Sequence, residues 1–340
     1  GAESGETGLV SVGASEARIG GGGGRGGLLS IMNNPNLVSL GGDGGKGATF
    51  SQSQPSSNAG VIVGGGGGAG GTITWASPLT AGAGFAASVR AGNGGTGAEL
   101  TGANMSFTNS GTIWGGGGGS QGKVFDGIRA VTTLGSNGSG GAGLIVTSDG
   151  ITVANTGAIH GGNAGNGTGT GTPLSLGGNG VRVTGNLGSI IQAGTIAGGL
   201  NNDGVNRNEA VLINGQGNTL TLHPTSITTG NVIFNGADNR LHIGTGSAAT
   251  ATVNGAIAFG ADGVFQVRAT PAAFDRLNVT GNAVVNQARV DVQAAPGAYS
   301  ETFSQIILHA NGTLTGTRFT GVTSNLAYLT PTLSYSARSE

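Results

Sequence analysis

Short runs of β-branched and apolar residues, alternating with small or polar ones, recur along the chain. Each run is bounded by Gly, Asn, Asp or Ser, which is the pattern of strands that end in turns. No stretch keeps the apolar spacing of an amphipathic helix. The pattern therefore predicts an all-β protein. The clearest predicted strands are TITW (72–75), LIVTS (144–148), ITVAN (151–155), VRVTG (181–185), LTL (220–222) and VIF (232–234).

One apolar residue precedes each glycine-rich run, and these residues set a repeat of 21–26 positions as far as residue 200. They are Ile19, Leu40, Val63, Val89, Ile113, Leu134, Ile159 and, after a longer gap, Ile196. Two or three short strands in each repeat are typical of a coil of a parallel β-helix, in which stacking buries the apolar face of every coil. At a strand spacing of roughly 4.8 Å, about 14 coils would form a rod on the order of 65 Å long.

Glycine makes up 75 of the 340 residues, with uninterrupted runs at 20–24 and 64–68. Such runs are candidates for disorder, a phosphate-binding loop or the turns of the repeat. Disorder is disfavoured because 36% of the residues are hydrophobic and only 9% are charged. There is no collagen-like G-X-Y period, and the chain has only 8 prolines. Asn and Gly suit the corners of a β-helix because both tolerate a left-handed backbone. Two arrangements of the glycine runs stay open: stacking at one corner, or looping out.

The charge balance and the absence of cysteine narrow the class of protein. The net charge is −1, which offers no electrostatic attraction for nucleic acid. Without cysteine there are no disulfides and no thiolate metal sites, and such a composition weakly favours a bacterial protein that crosses the cell envelope unfolded. No run of 18 apolar residues is present. The opening GAESGETGLV lacks the basic and apolar regions of a signal peptide, so we expect any such peptide to have been removed or not to be included in this sequence.

One glycine-rich stretch, residues 41–49, bears comparison with two ligand-binding patterns. GGDGGKGAT (41–49) departs twice from the phosphate-loop pattern G-x-x-x-x-G-K-[ST], because Leu40 stands at the first glycine and Gly47 at the Ser/Thr position. Calcium-binding nonapeptides repeat an aspartate, but no later glycine run repeats Asp43, which is therefore interpreted as a polar turn residue. The sequence predicts no cofactor and no metal site.

Catalytic side chains are scattered rather than clustered. The pattern G-x-S-x-G occurs once, as GGSQG (118–122), but it lies inside a glycine run and not at the strand-to-helix turn of a nucleophile elbow. The histidines are His160, His223, His242 and His309; His160 and His242 alternate with apolar neighbours and are expected to point out from strands, and His223 to stand at a strand end. The acids singled out are Asp126, Asp149, Asp203, Asp238, Asp262, Asp275 and Asp291. Asp126 and Asp149 lie about one repeat apart, so stacking would pair them as in a glycosidase. Two solvated turn residues are the favoured interpretation, and no catalytic residue is predicted.

The C-terminal region carries a more specific pattern. Within 262–335 the chain has a D-x-L-x-V-x-G turn, then a G-x-F-x-x-V-like stretch with one extra residue, then a closing L-x-Y strand. The matching residues are Asp275, Leu277, Val279, Gly281, Gly316, Phe319, Val322, Leu333 and Tyr335. This segment resembles the pre-barrel, autochaperone-like segment of bacterial type V autotransporter passengers. Residues 215–244 resemble the β-helix coils that precede it in that family.

The resemblance implies a right-handed parallel β-helix with a C-terminal capping or autochaperone module. We expect glycine-rich coils at 1–205, further coils at 206–261 and the cap at 262–340. The family's outer-membrane β-barrel is expected to follow residue 340 and is absent from this sequence. The resemblance also implies export through the periplasm and outer membrane of a Gram-negative bacterium, to the cell surface or the medium.

The expected function is that of an adhesin or virulence factor, without enzymatic activity. Its partners would be a host cell surface or other passenger molecules, and not nucleic acid. Two alternatives remain: a glycan hydrolase or esterase carried on the β-helix, and an inert stalk for a head that this chain does not contain.

Overall fold

The fold is known from a computed structural model. It describes residues 11–25, 29–31, 36–75, 86–125, 130–131, 135–166, 174–244, 246–285, 287–300, 303–314, 318–327 and 330–336. These residues form strands and turns but no helix, and long parallel sheets stack along one axis. The chain is therefore a parallel β-helix, as the sequence predicts.

Three long sheets form the walls of the β-helix, and each coil contributes one strand to each wall. The first sheet contains Ser11–Val12, Ser56–Asn58, Ser106–Asn109, Thr152–Asn155, Ser189–Gln192, Thr219–Leu222, Arg240–Ile243, Val264–Ala269, Arg289–Ala294 and Val322–Ser324. The second contains Ala48–Phe50, Ala98–Leu100, Leu144–Val146, Val181–Val183, Val211–Ile213, Val232–Phe234, Ile257–Ala258 and Ala283–Val284. The third contains Ala17–Ile19, Val61–Val63, Thr112–Trp114, Ala158–His160, Thr195–Ala197, Ile227–Thr229, Thr250–Asn254, Arg276–Val279 and Leu308–Ala310.

Two smaller sheets occur only in the N-terminal half. One contains Leu29–Ile31, Thr72–Trp75, Lys123–Phe125 and Ala130–Val131; the other contains Asn36–Leu40 and Ala86–Arg90. Within the described ranges, Lys123–Phe125 and Ala130–Val131 are the only strands that pair in the antiparallel sense. In this half the chain leaves the third sheet, passes through the small sheets and returns to the second sheet.

The true coil in the N-terminal half is about twice as long as the sequence repeat suggests. Asn58, Asn109, Asn155 and Gln192 occupy one position in successive coils, with separations of 51, 46 and 37 residues. Separations of 21 to 26 residues occur only in the later coils. The predicted period was wrong because each long coil contains two glycine runs, one leaving the third sheet and one returning to the second.

The residues chosen as repeat markers also mix two orientations. Ile113, Ile159 and Ile196 are in register on the third sheet and fully buried. Ile19 is instead in register with Val63 and Trp114 and is 72% exposed. A shift of one residue along a strand moves a side chain to the opposite face, so an alignment by eye easily confuses the two columns. Another marker, Leu134, lies outside the described residues.

Stacked apolar side chains fill the interior. Ile62 precedes the three buried isoleucines of the third sheet, and Phe50 with Leu100 begins the inward column of the second sheet. The Phe50 ring meets Phe107 of the first sheet edge-on at 4.9 Å. Because neighbouring coils supply the same kind of side chain at the same position, each coil covers the apolar face of the next.

A buried polar ladder runs beside this core, along the end of the first sheet. Asn58 donates to Asn109, Asn109 to Asn155, and Asn155 to Gln192, each over 2.7 Å between the amide nitrogen and oxygen. All four side chains are fully buried. The asparagines of NSGTI and NTGAI therefore act as hydrogen-bonded ladder residues at the strand end, and only the residues after them form the turn.

A different corner, between the second and first sheets, uses the left-handed backbone that the sequence analysis expects of Asn and Gly. One residue there has a positive φ in each of seven successive coils, and hydrogen bonds between coils stack these turns. The residues are Asn104, Gly150, Leu187, Gly217, Asp238, Asp262 and Gln287. Leu187 is 74% exposed. An ordinary L-residue such as Leu187 is strained in this conformation by about 1 kcal/mol or more.

The glycine runs form a packed bundle, which answers the question that their sequence leaves open. The outgoing runs are 20–25, 64–71, 115–122 and 161–166, and the returning runs are 41–47, 91–97, 135–143 and 174–180. The amide nitrogens of Gly67 and Gly70 donate to the outgoing run of the next coil, and that of Gly64 donates to the residue directly before that run. Those of Gly65 and Gly68 donate to the returning run beside them. Residues three positions apart in a run therefore donate to the same neighbouring run.

A three-residue period without hydrogen bonds inside the run is the geometry of a polyproline II helix. Glycine is needed here for space, since these glycines lack the positive φ found at the turns. A Cβ atom on Gly65 would lie 2.0 Å from the carbonyl oxygen of Gly21, but one on Gly66 would have 3.8 Å of room. Two positions in three thus face other runs, and the third faces solvent. The sequence analysis overlooked this local G-G-x period.

The C-terminal end of the core is covered by aromatic residues. Phe319 packs against Phe259 and Phe265 with ring centroids 6.3 Å apart, and its backbone nitrogen donates to the Tyr335 hydroxyl over 3.0 Å. Leu333 and Tyr335 are partly buried against the same core. Of the residues that carry the family resemblance, Gly316 lies outside the described ranges.

Candidate functional site

The structure brings no metal-binding cluster together. Across the described ranges, no three His, Asp or Glu side chains are close enough to share a metal ion. Nor do these residues form a helix that is long and apolar enough to cross a membrane.

His160 points outward, as predicted, and belongs to an aromatic stack. Its ring lies on that of Trp114 in the preceding coil, with 4.0 Å between centroids and 20° between planes. Burial in this stack lowers the pKa of His160, and the positive charge of Arg207 lowers it further. The stack favours the neutral imidazole. No carboxylate contributes to the shift, so the arrangement lacks the orienting acid of a catalytic triad.

The other histidines hold structural positions. His242 lies in register with Thr221 on the outer face of the first sheet. Burial lowers the pKa of His242, and the charges of Arg240 and Arg268 act in the same direction. His223 directly follows a strand, as expected, and its carbonyl oxygen accepts a hydrogen bond from Ser226. His309 is partly exposed on the third sheet.

The less favoured alternative, in which Asp126 stacks on Asp149, rested on a wrong coil length. A separation of 23 residues is about half a coil in this part of the chain, and the neighbour of Asp149 in the next coil is Asn186. The Asp149 carboxylate accepts from the Asn186 backbone nitrogen over 2.7 Å and from its amide over 3.2 Å. Asp126 lies outside the described residues. Asp149 therefore acts as a turn residue.

Asp275 is the most deeply buried acid among the described residues, and it is fully paired. Its carboxylate accepts from the Arg268 guanidinium over 2.9 and 3.0 Å and from the backbone nitrogens of Arg268 and Ala249 over 2.8 Å. Leu277 and Val279, in the same D-x-L-x-V-x-G motif, face the core. The motif is therefore a structural clamp that ties two coils together.

The amides of the 41–49 motif are used within the fold. Gly44 and Gly47 donate to the returning run of the next coil, and Gly41 donates to the residue directly before that run. Gly42 and Gly45 donate to the outgoing run of residues 20–25. Asp43 accepts from the Asn93 backbone nitrogen over 2.6 Å, and Asn93 in turn accepts from Ser139 over 2.9 Å. This motif therefore joins coils, and its glycine amides are not free to hold a phosphate.

Exposed apolar residues gather on the outer face of the third sheet. Ile19, Val61 and Trp114 are 72%, 41% and 44% exposed. Thr112, Ala158 and Thr195 lie in register on the same face. This face therefore combines exposed large apolar side chains with the small or hydroxyl-bearing side chains of Thr112, Ala158 and Thr195.

A groove of about 320 Å³ lies where the returning glycine runs meet the outer face of the second sheet. Arg182, Asn179, Asn208, Ser139 and Thr96 give it polar groups, and Leu176 and Ile145 give it apolar ones. Asn179 donates to the Glu209 carboxylate over 2.8 Å, and Asn208 donates to the carbonyl oxygen of Gly177. Arg182 donates no side-chain hydrogen bond to any described residue, and its buried Nε atom has no partner.

The sequence analysis missed this groove because its residues come from four coils. Arg182 stands in VRVTG, where alternation predicts only that it faces outward. The single available signal is an arginine between two strongly β-forming valines, which is not specific.

The fold and these surfaces define a parallel β-helix solenoid. No known family model matches the chain, and no curated protein or solved structure is detectably similar to it.

Proposed function

We propose that this chain is the exported, surface-displayed rod of a bacterial autotransporter passenger and that it acts as an adhesin. The single observation that carries the proposal is the combination of a β-helix with the C-terminal sequence that resembles autotransporter passengers. In support, Asp275 ties two coils together, and Leu277 and Val279 of the same motif face the core.

Adhesion in this proposal comes from many weak contacts along flat faces. The outer positions carry mainly Thr, Ser, Asn and small apolar residues, with exposed Ile19, Val61 and Trp114 on the third sheet. Contacts of this kind give useful affinity when many rods act together at one surface. The proposed partners are a host cell surface or rods on another bacterium.

The test is adhesion of beads coated with the purified chain to cultured epithelial cells and to beads that carry the same chain. We expect coated beads to adhere at least several times more often than albumin-coated beads. A broad panel of glycosidase and esterase substrates is run in parallel. Turnover without adhesion would favour the enzyme carried on the β-helix, and the absence of both would favour the inert stalk.

A further inference from the structure

Arg182 is a charged side chain that forms no ion pair with any residue in the described part of the chain. It stands on the outer face of the second sheet, in register between Ile145 of the preceding coil and Leu212 of the next. Ile145 is only 7% exposed, so the arginine stem lies against an apolar surface. The side chain makes no hydrogen bond to a described residue, and no carboxylate among them forms an ion pair with it.

This arrangement is costly unless a ligand completes it. A buried polar atom without a partner destabilises a fold, and such atoms are few in native proteins. An aliphatic residue in place of Arg182 would continue the apolar column of Ile145 and Leu212 with no evident loss of stability. A planar guanidinium with free donors binds carboxylates in a bidentate manner.

The rest of the groove fits a hydroxylated ligand. The side-chain hydroxyls of Thr96 and Ser139 take part in no hydrogen bond within the described structure, and both residues line the groove. Asn179 and Asn208 add amide groups, and the 44% exposed Leu176 adds an apolar edge. No acidic residue lines the groove. Its volume of about 320 Å³ is in the range of small-ligand sites.

We infer that this groove binds an acidic saccharide, with Arg182 holding the sugar carboxylate and the hydroxyl and amide groups around it holding the ring hydroxyls. The inference deepens the adhesive role proposed above, because it gives the rod a specific contact with acidic glycans.

The experiment measures binding of sodium glucuronate, glucose and sodium acetate to the purified full-length chain by calorimetry or NMR titration at physiological salt. We expect glucuronate to bind at least tenfold more tightly than glucose or acetate. Arg182→Gln is expected to weaken glucuronate binding at least tenfold, and Arg182→Lys several-fold, because lysine keeps the charge but lacks the planar fork. The matched control is Arg240→Gln, on the exposed outer face of the first sheet, which should leave the affinity unchanged.

Several results would overturn the inference. These are binding of glucose or of acetate as tight as that of glucuronate, an unchanged glucuronate affinity in Arg182→Gln, and equal losses of glucuronate affinity in Arg182→Gln and Arg240→Gln. If Arg182→Gln fails to fold, the Arg182→Lys comparison decides in its place. Glucuronate binding by a chain that does not adhere to cells would leave the site intact and refute adhesion, whereas adhesion without glucuronate binding would refute only the site.

Discussion

At the scale of single residues, the side of the strand that a residue faces decides what it contributes. Ile159 faces the interior and is fully buried, whereas the adjacent His160 stacks on Trp114 at the surface. Arg182 and Asn109 show the same rule for polar groups. The amide of Asn109 is fully buried within a ladder, whereas the outward guanidinium of Arg182 has no hydrogen-bond partner among the described residues.

Ile159→Asp should lower the free energy of unfolding by about 3–5 kcal/mol, because it places an unpaired charge among stacked isoleucines. Asp43→Ala is the control. It removes one exposed hydrogen bond to Asn93 and should change stability by about 0.5 kcal/mol or less. Urea denaturation of both variants measures the effect, and a wild-type midpoint for Ile159→Asp would refute the buried register. Leu134→Asp is also expected to destabilise, although Leu134 lies outside the described residues.

His160 should make stability depend on pH. Its pKa in the folded chain lies below the ordinary value of about 6.5, so below that pH the unfolded chain binds more protons. The free energy of unfolding should therefore fall as the pH falls through and below about 6.5, and this contribution should be absent above pH 7.5. Urea titrations of wild type and His160→Gln at several pH values test this. Identical pH dependence in the two proteins would contradict it.

At the scale of elements, the packed bundle of glycine runs lies beside the β-helix in the N-terminal half. The stability of this bundle comes from backbone hydrogen bonds between closely packed runs, with little contribution from apolar side chains. Glycine loses more backbone entropy on folding than other residues, so dense hydrogen bonding must offset a large cost.

Two adjacent glycines in one run give a matched test of this packing. A Cβ atom on Gly116 would lie 2.0 Å from the Gly65 carbonyl oxygen, whereas one on Gly117 would be 3.7 Å from its nearest neighbour. Gly116→Ala should therefore destabilise the chain by about 3 kcal/mol. Gly117→Ala should be neutral or stabilising by about 0.5 kcal/mol, because alanine restricts the unfolded chain. Thermal unfolding of both variants distinguishes the two positions, and equal effects would mean that the runs do not pack as described.

At the scale of the whole molecule, the two halves differ in what stabilises them. The C-terminal coils are short and contain a cluster of Phe234, Phe259, Phe265 and Phe319. Aromatic side chains bury the largest areas and dominate core energetics. In a stacked array, a strong coil supports weaker neighbours through the shared interface.

The C-terminal region, about residues 262–335, should be the most stable part and the folding nucleus. Limited proteolysis of the full chain during a urea titration should leave a resistant fragment from the C-terminal third after residues 1–200 have been cut. Phe265→Ala should slow refolding of the entire chain. Phe50→Ala, at an equally buried N-terminal position, should increase protease cleavage mainly in the N-terminal half. Earlier cleavage of the C-terminal end, or equal effects of the two variants, would count against a C-terminal nucleus.

The sequence by itself determined the fold class. Alternation over a few residues, bounded by Gly and Asn, is a local property of strands and turns, so it predicted the strands at 72–75, 181–185 and 232–234 without knowledge of their partners. The structure ends the second of these strands two residues earlier, at Val183. It also predicted that His160 faces outward.

Only the tertiary structure decided the coil length, since the number of glycine runs in a coil depends on which strands pair. The same holds for the ladder of Asn58, Asn109 and Asn155, whose members are 51 and 46 residues apart. The groove around Arg182 was likewise beyond the sequence, because a contact between coils depends on the register of stacking, and a one-residue change in register would reverse every side chain.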